Sequence, residues 1–388
     1  MPLLAQSLSE NRRTLALAVP IIAGFVGQML MGLADTIMVG KIGVIPLAAC
    51  AFANTVLAVP LVFGFAVLSS VSVRASLAFG AGRKRLSGEA LRSGLLIALL
   101  LGILVGGGLH LAAPFLSLLG QGDEITNTSR NFLVLCAWSA VPVFITTAAK
   151  NFCEALSRPW VPFWIMMAGV LLNIALNWVL IYGNLGLPAL GIDGAGVATA
   201  TARTAVATAV VAYLLTAPSL KQALPLAWFR RGCGAEIRRL LALGLPSGGL
   251  QLAEVSGFAS GSLTMGWLGP GALAAHQIAI TCAATTFMIP LGLSQAVAVR
   301  IGQARGAAEQ GRYLPIIFGA WGVTASIMAI FAALFMGAGT VIARWFVENP
   351  AVTALAAELL LIAGLFQVFD GIQVTSAGAL RGFEDTRT

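Results

Sequence analysis

The sequence predicts an all-α membrane protein built as two six-helix lobes related by a pseudo-two-fold axis along the membrane normal. Three observations carry this expectation: the composition, the side on which the basic residues fall, and an internal repeat. Of 388 residues, 58% are apolar and 10% charged, and mean hydropathy is +0.91. Soluble domains carry about 25% charged residues. A water-facing surface cannot be built from this chain, so lipid must be much of its solvent.

The spans follow from length. A helix needs roughly 20 apolar residues to cross a bilayer. Apolar runs and their breaks give one set near 14–38, 47–73, 91–112, 130–153, 160–183 and 195–216, and a second near 240–264, 271–297, 314–337 and 353–378. Pro and Gly recur inside them, as membrane helices tolerate. Glu10, Arg12 and Arg13 precede a long apolar run with no small-residue cleavage signal. The first run therefore reads as an uncleaved span rather than a signal peptide.

Orientation follows from Lys and Arg. With the N-terminus in the cytoplasm, nineteen of the 23 basic residues fall on the cytoplasmic side. They include Arg83-Lys84-Arg85, Arg230-Arg231, Arg238-Arg239 and Arg387. Lys41, Arg130 and Arg344 fall outside, and Arg203 lies within a span. This positive-inside bias sets the expected orientation, and the apolar spans make a multi-pass inner-membrane location the expectation. The bias also accounts for the net charge of +8, so a nucleic-acid partner loses its support. Membrane lipid is the expected partner, anionic headgroups included, and the protein is expected to be monomeric.

The chain repeats itself at an offset of 226 residues. Arg13 pairs with Arg239, Leu17 with Leu243, Pro20 with Pro246, Gly40 with Gly266 and Gly43 with Gly269. Leu47-Ala48-Ala49 pairs with Leu273-Ala274-Ala275, Val73-Arg74 with Val299-Arg300, and Gly80-Ala81 with Gly306-Ala307. Near the end the offset slips to 224, matching Ala155-Leu156 to Ala379-Leu380. A period holding six spans gives two lobes of like orientation, a layout that usually carries its ligand at the lobe interface. The expected domains are an N-lobe over 1–222 and a C-lobe over 223–388, with the polar, basic stretch near 217–238 as linker. The first copy runs on for two spans beyond Leu156, so two further C-lobe helices are expected that this sequence does not contain.

Chemistry is expected at carboxylates inside spans. A charge at the centre of a membrane helix costs about 2.5–3.5 kcal/mol on insertion scales, so such residues are rarely idle. Asp35 falls late in span 1, Glu254 mid-way in span 7 and Asp370 in the second half of span 10. If Glu254 and Asp370 face each other, one proton or one cation sits between them. Competition between that ion and a cationic cargo suffices as a coupling device. The structural alternative is polar glue between helices.

Other polar residues carry less. Lys150 and Glu154 stand one turn apart at a helix end and read as a structural pair. Asn173 and Asn177 share a helix face, as glue or as a cavity wall. Arg203 reads equally as a snorkelling side chain or as a charge partner in a cavity. His110 and His276 are isolated, and Glu358 falls where it can reach headgroups. Five cysteines (Cys50, Cys136, Cys153, Cys233, Cys282) lie singly without metal-ligand spacing and read as small hydrophobes. No HExxH, GxSxG or Walker A occurs, so the chain is not expected to be an enzyme, and uphill transport would draw on an ion gradient.

Several segments together resemble the multidrug and toxic compound extrusion (MATE) family of exporters. They are Asp35-Thr36-Ile37-Met38-Val39-Gly40, Leu47-Ala48-Ala49, the run from Gly191 to Thr199 (GIDGAGVAT), and Ala379-Leu380-Arg381-Gly382 through Asp385-Thr386-Arg387-Thr388. The likeness spans essentially the whole chain. It implies twelve helices in two lobes about a V-shaped cleft, alternating access, and export of small cationic amphipathic drugs in exchange for Na⁺ or H⁺. No other cofactor is implied. Asp35 matches the family's first-helix carboxylate. Glu254 and Asp370 match the paired C-lobe carboxylates of the NorM-type branch rather than the DinF-type one, and form the candidate Na⁺ site. Two departures stand out. Asn173 is followed by Asn177 where proton-coupled relatives carry an Asp, and Phe366 stands where a cation-contacting Tyr is expected. The implied site is therefore Asp35, Glu254, Asp370, Asn173 and Asn177, with the coupling ion open.

Three rivals remain. A lipid or lipid-linked oligosaccharide flippase of the related superfamily would show more cationic residues facing its cavity. A membrane-embedded enzyme would need a catalytic constellation on neighbouring spans. A channel would need a filter-like motif.

Overall fold

A computed structural model describes residues 2–225 and 234–386. Arg230, Arg231, Cys233, Arg387 and Thr388 lie outside the described residues. Every long element among the described residues is an α-helix. In order these are α1 (Pro2–Gly40), α2 (Val44–Gly80), α3 (Lys84–Ala112), α4 (Asp123–Trp138), α5 (Ala140–Ala155), α6 (Trp160–Tyr182), α7 (Gly191–Thr216), α8 (Gly234–Trp267), α9 (Pro270–Gly306), α10 (Tyr313–Arg344) and α11 (Pro350–Gly382).

All ten expected spans are present as helices, mostly longer than the apolar runs that announced them. One of them is not continuous. The run near 130–153 is divided between α4 and α5 at Ser139, three residues before Pro142. A proline lacks the N–H that would continue the helical ladder and clashes with the preceding turn. Nine of the described segments are long and apolar enough to cross a membrane, counting α4 and α5 as one. α8 is not among the nine, though it is 34 residues long; Gln251, Glu254 and its several Ser and Gly residues dilute its apolar character.

The chain folds as two compact units. One comprises Ala23–Gly249; the other comprises Met1–Ile22 together with Leu250–Thr388. Both α1 and α8 therefore change unit along their length, and they do so at equivalent places, two or three residues after Pro20 and Pro246 respectively. Equivalent turns follow each helix. Gly43 (φ +154°) and Gly269 (φ +111°) lead into α2 and α9 with backbone that a side chain would strain.

Within Ala23–Gly249, a core of Leu68, Leu91, Phe144, Phe152 and Leu214 joins α2, α3, α5 and α7. Close approach depends on missing side chains. A Cβ on Gly64 would meet the Phe144 ring at 2.3 Å, and one on Gly102 would meet the Val141 Cα at 2.6 Å. In lipid there is little hydrophobic drive between helices, so such contacts, with dispersion and polar links, hold them together. In the other unit Val297, Ile301 and Ile316 form one cluster, and Phe335, Ile342 and Leu360 another.

Charged residues are placed at matching points in the two units. Glu10 on α1 ion-pairs with Arg300 on α9 and with Arg312, whose Nε lies 3.0 Å from its Oε1. Glu236 on α8 binds Arg74 on α2 through two hydrogen bonds of 2.8 and 3.0 Å.

Candidate functional site

Asp35 lies in the last two turns of α1, in the unit Ala23–Gly249, and is only 8% exposed. Two other helices converge on it. Asn177 on α6 donates its amide to Asp35 Oδ1. Thr199, in the third turn of α7, donates to Asp35 Oδ2 at 3.3 Å. Behind them the Asn177 amide also donates to Asn173 Oδ1 at 3.2 Å, and Asn173 donates to Thr199 Oγ1 at 3.3 Å. Both asparagines are fully buried. The one-turn spacing of Asn173 and Asn177 does put both on one face, and that face is turned to the carboxylate. Asn177 Oδ1 has no hydrogen-bond partner among the described residues.

The carboxylate opens onto a cavity of about 520 Å³. Its wall mixes soft and aromatic side chains (Met31, Met166, Met167, Phe65, Phe163) with polar ones. Two cations also line it. Lys150 is tied to Glu154 at 3.0 Å, as the one-turn spacing predicts, but the pair is buried rather than lying at a solvated helix end. Arg203 donates from Nη1 to Ser139 Oγ at 2.7 Å, and the Ser139 hydroxyl in turn donates to the Cys136 carbonyl at 2.6 Å. Arg203 is therefore a cavity residue.

Glu254 and Asp370 lie in the other unit, half-buried on α8 and α11. Gln251, one turn earlier on α8, donates to Glu254 Oε2 at 3.2 Å. Below Asp370 on α11, Gln367 is buried and accepts from Thr286 at 3.1 Å. Phe366 is exposed. The structure thus gathers Asp35, Asn173 and Asn177 into one constellation, while Glu254 and Asp370 lie in the other unit on α8 and α11.

Thr199 is a member of the first constellation that the residue pattern did not single out as a site. Its signal was present in the Gly191–Thr199 stretch. Gly194 and Gly196 let α7 approach its neighbours, since a Cβ on Gly194 would meet the Leu180 carbonyl oxygen at 2.5 Å. That approach carries the Thr199 hydroxyl to Asp35.

The MatE family matches residues 20–179 and again residues 246–388, two stretches that begin 226 residues apart. The chain belongs to the MatE family. It is accordingly a membrane transporter, a multi-pass membrane protein and not an enzyme. Its relatives include the probable multidrug resistance protein NorM of Bradyrhizobium diazoefficiens, 36% identical over 97% of this chain and 82% of that protein. The multidrug resistance protein NorM of Aliivibrio fischeri is 32% identical over 97% and 82%. These similarities accord with the NorM-type likeness of the sequence. Among solved structures, the eukaryotic MATE transporter AtDTX14 superposes with a TM-score of 0.88 at 20% identity, covering 98% of this chain and 84% of that one. Vibrio cholerae VcmN in its bent form also gives 0.88 at 20% identity, covering 98% and 86%. At that identity the likeness concerns the fold, which is that of MATE transporters.

Proposed function

We propose that this MATE transporter exports cationic amphipathic drugs in exchange for Na⁺ or H⁺, by alternating access, with its N-terminus in the cytoplasm. The observation that carries the reading is Asp35, a carboxylate within a spanning helix, buried and held by one neutral amide and one hydroxyl at the wall of a Met- and Phe-rich cavity. A buried ionised carboxylate carries a desolvation cost, and a bound cation or proton offsets it. The names of the NorM relatives, multidrug resistance proteins, support drug export. Soft and aromatic walls suit cargo of varied shape. Glu254 and Asp370 form a second acidic position, suited to hold one small cation, Na⁺ included, or one proton between them. Basic residues concentrated toward one side support the orientation.

A lipid or lipid-linked oligosaccharide flippase would need a cavity of net positive charge. Here Lys150 is neutralised by Glu154, and Asp35 balances Arg203.

The test is uptake of a fluorescent cation into inverted vesicles under an imposed Na⁺ or H⁺ gradient. Gradient-driven uptake that Asp35→Asn removes is the expected result. Uptake indifferent to both gradients, or intact in Asp35→Asn, would overturn the reading.

A further inference from the structure

The cavity beside Asp35 holds charges of both signs that do not meet. Arg203 and Asp35 line the same space. Yet no ion pair joins them among the described residues. Each is held instead by neutral partners: Asp35 by Asn177 and Thr199, Arg203 by Ser139. In a medium of low dielectric, opposite charges that share a cavity are strongly drawn together, and a charge without a counter-charge is costly. Side chains anchored so that the two charges stay apart form a fixed dipole across the cavity. A ligand with the reverse dipole completes both.

The anchoring is built into the chain. Ser139 stands at the junction of α4 and α5. It gives its proton to the Cys136 carbonyl, which leaves its lone pair for Arg203. The other cation of the cavity, Lys150, is spent on Glu154. Arg203 is therefore the cavity's cation still able to take a ligand's anionic group, and its planar fork suits a carboxylate.

We propose that Arg203, backed by Ser139, is an anion-accepting subsite, so that the cavity takes zwitterionic amphipaths with their cationic end toward Asp35 and their carboxylate toward Arg203. This inference rests on the cavity being a cargo site, and it narrows the cargo from cations in general.

The test uses a matched pair of xanthene dyes, one a zwitterion with a free carboxylate and the other its ethyl ester, a plain cation. Export is followed from loaded cells of an efflux-deficient host, and binding by fluorescence anisotropy on the detergent-solubilised chain. In Arg203→Gln the acid-to-ester ratio, in export and in affinity, is expected to fall by roughly tenfold or more, the size of a lost charge-assisted contact. Arg203→Lys should recover much of that ratio, and Ser139→Ala should lower it partially. An unchanged ratio in Arg203→Gln, or a wild type that handles the ester alone, would overturn the proposal while leaving cation export standing. Failure of the wild type to move either dye would instead strike the export reading itself. If Arg203→Gln does not accumulate, the Ser139→Ala ratio decides.

Discussion

Glu10 and Glu236 occupy equivalent positions in the two copies of the repeat, and each ion-pairs with an arginine carried by the other copy, Glu10 with Arg300 and Glu236 with Arg74. The arginines are themselves equivalent, and each glutamate also has an arginine three residues on, Arg13 or Arg239. The first helix of one copy is thereby clamped to the second helix of the other, twice over. Glu10 is the more deeply buried of the two and serves both Arg300 and Arg312. Glu10→Gln is expected to cost about 3 kcal/mol, and Glu236→Gln about 1–2 kcal/mol because its surroundings are wetter. Thermal aggregation in detergent should rank them in that order, and exchange of the charges in Arg74→Glu with Glu236→Arg should recover part of the loss. Equal, negligible shifts would contradict the assignment.

Thr199→Val keeps the volume of the side chain and removes the hydroxyl that Asp35 and Asn173 share. Loss of one hydrogen bond to a carboxylate corresponds to about 1.5–3 kcal/mol. Export of a cationic dye is expected to fall by roughly tenfold or more with accumulation unchanged. Full export by Thr199→Val would remove this hydroxyl from the working set.

Glu254 and Asp370 should behave as a unit. Replacing either, by Glu254→Gln or Asp370→Asn, is expected to abolish dye resistance in an efflux-deficient host at equal protein level. The double variant should be no worse than the singles, because groups that share one ion are not additive. Partial losses that multiply in the double variant would separate the two residues.

Glycines of α3 give a packing contrast. Gly102→Ala drives a methyl into the backbone of Val141, whereas Gly107→Ala meets nothing within 4 Å. The first is expected to cost about 1–3 kcal/mol, read as a lowered melting temperature, and the second to be neutral or slightly favourable.

Much of this architecture was legible in the residues. Apolar runs announced every span, since lipid imposes length and composition together, and the repeat announced the matched prolines and turn glycines. What escaped depended on which face of a helix meets which neighbour. Glu10 and Glu236 are equivalent by the same offset, yet nothing in their spacing tells that each reaches the opposite copy. Lys150 and Glu154 were readable as a pair but not as a buried one. Asp35 and Asn177 are 142 residues apart, and only the packing of α6 and α7 against α1 brings amide, hydroxyl and carboxylate together. The interruption at Ser139 was hidden because membrane helices tolerate proline, so Pro142 alone does not announce a break.

That α1 and α8 each belong to two units has a bearing on how the protein is made. The ribosome releases the segment up to Ile22 first, yet the partners of its Glu10, Arg300 and Arg312, lie 290 and 302 residues beyond that glutamate. The unit ending at Gly249 likewise stays open until the first half of α8 has emerged. The unit that begins the chain is thus the last to be completed. A gene severed in the connection between α7 and α8 should yield stable protein only when both fragments are synthesised in the same cell.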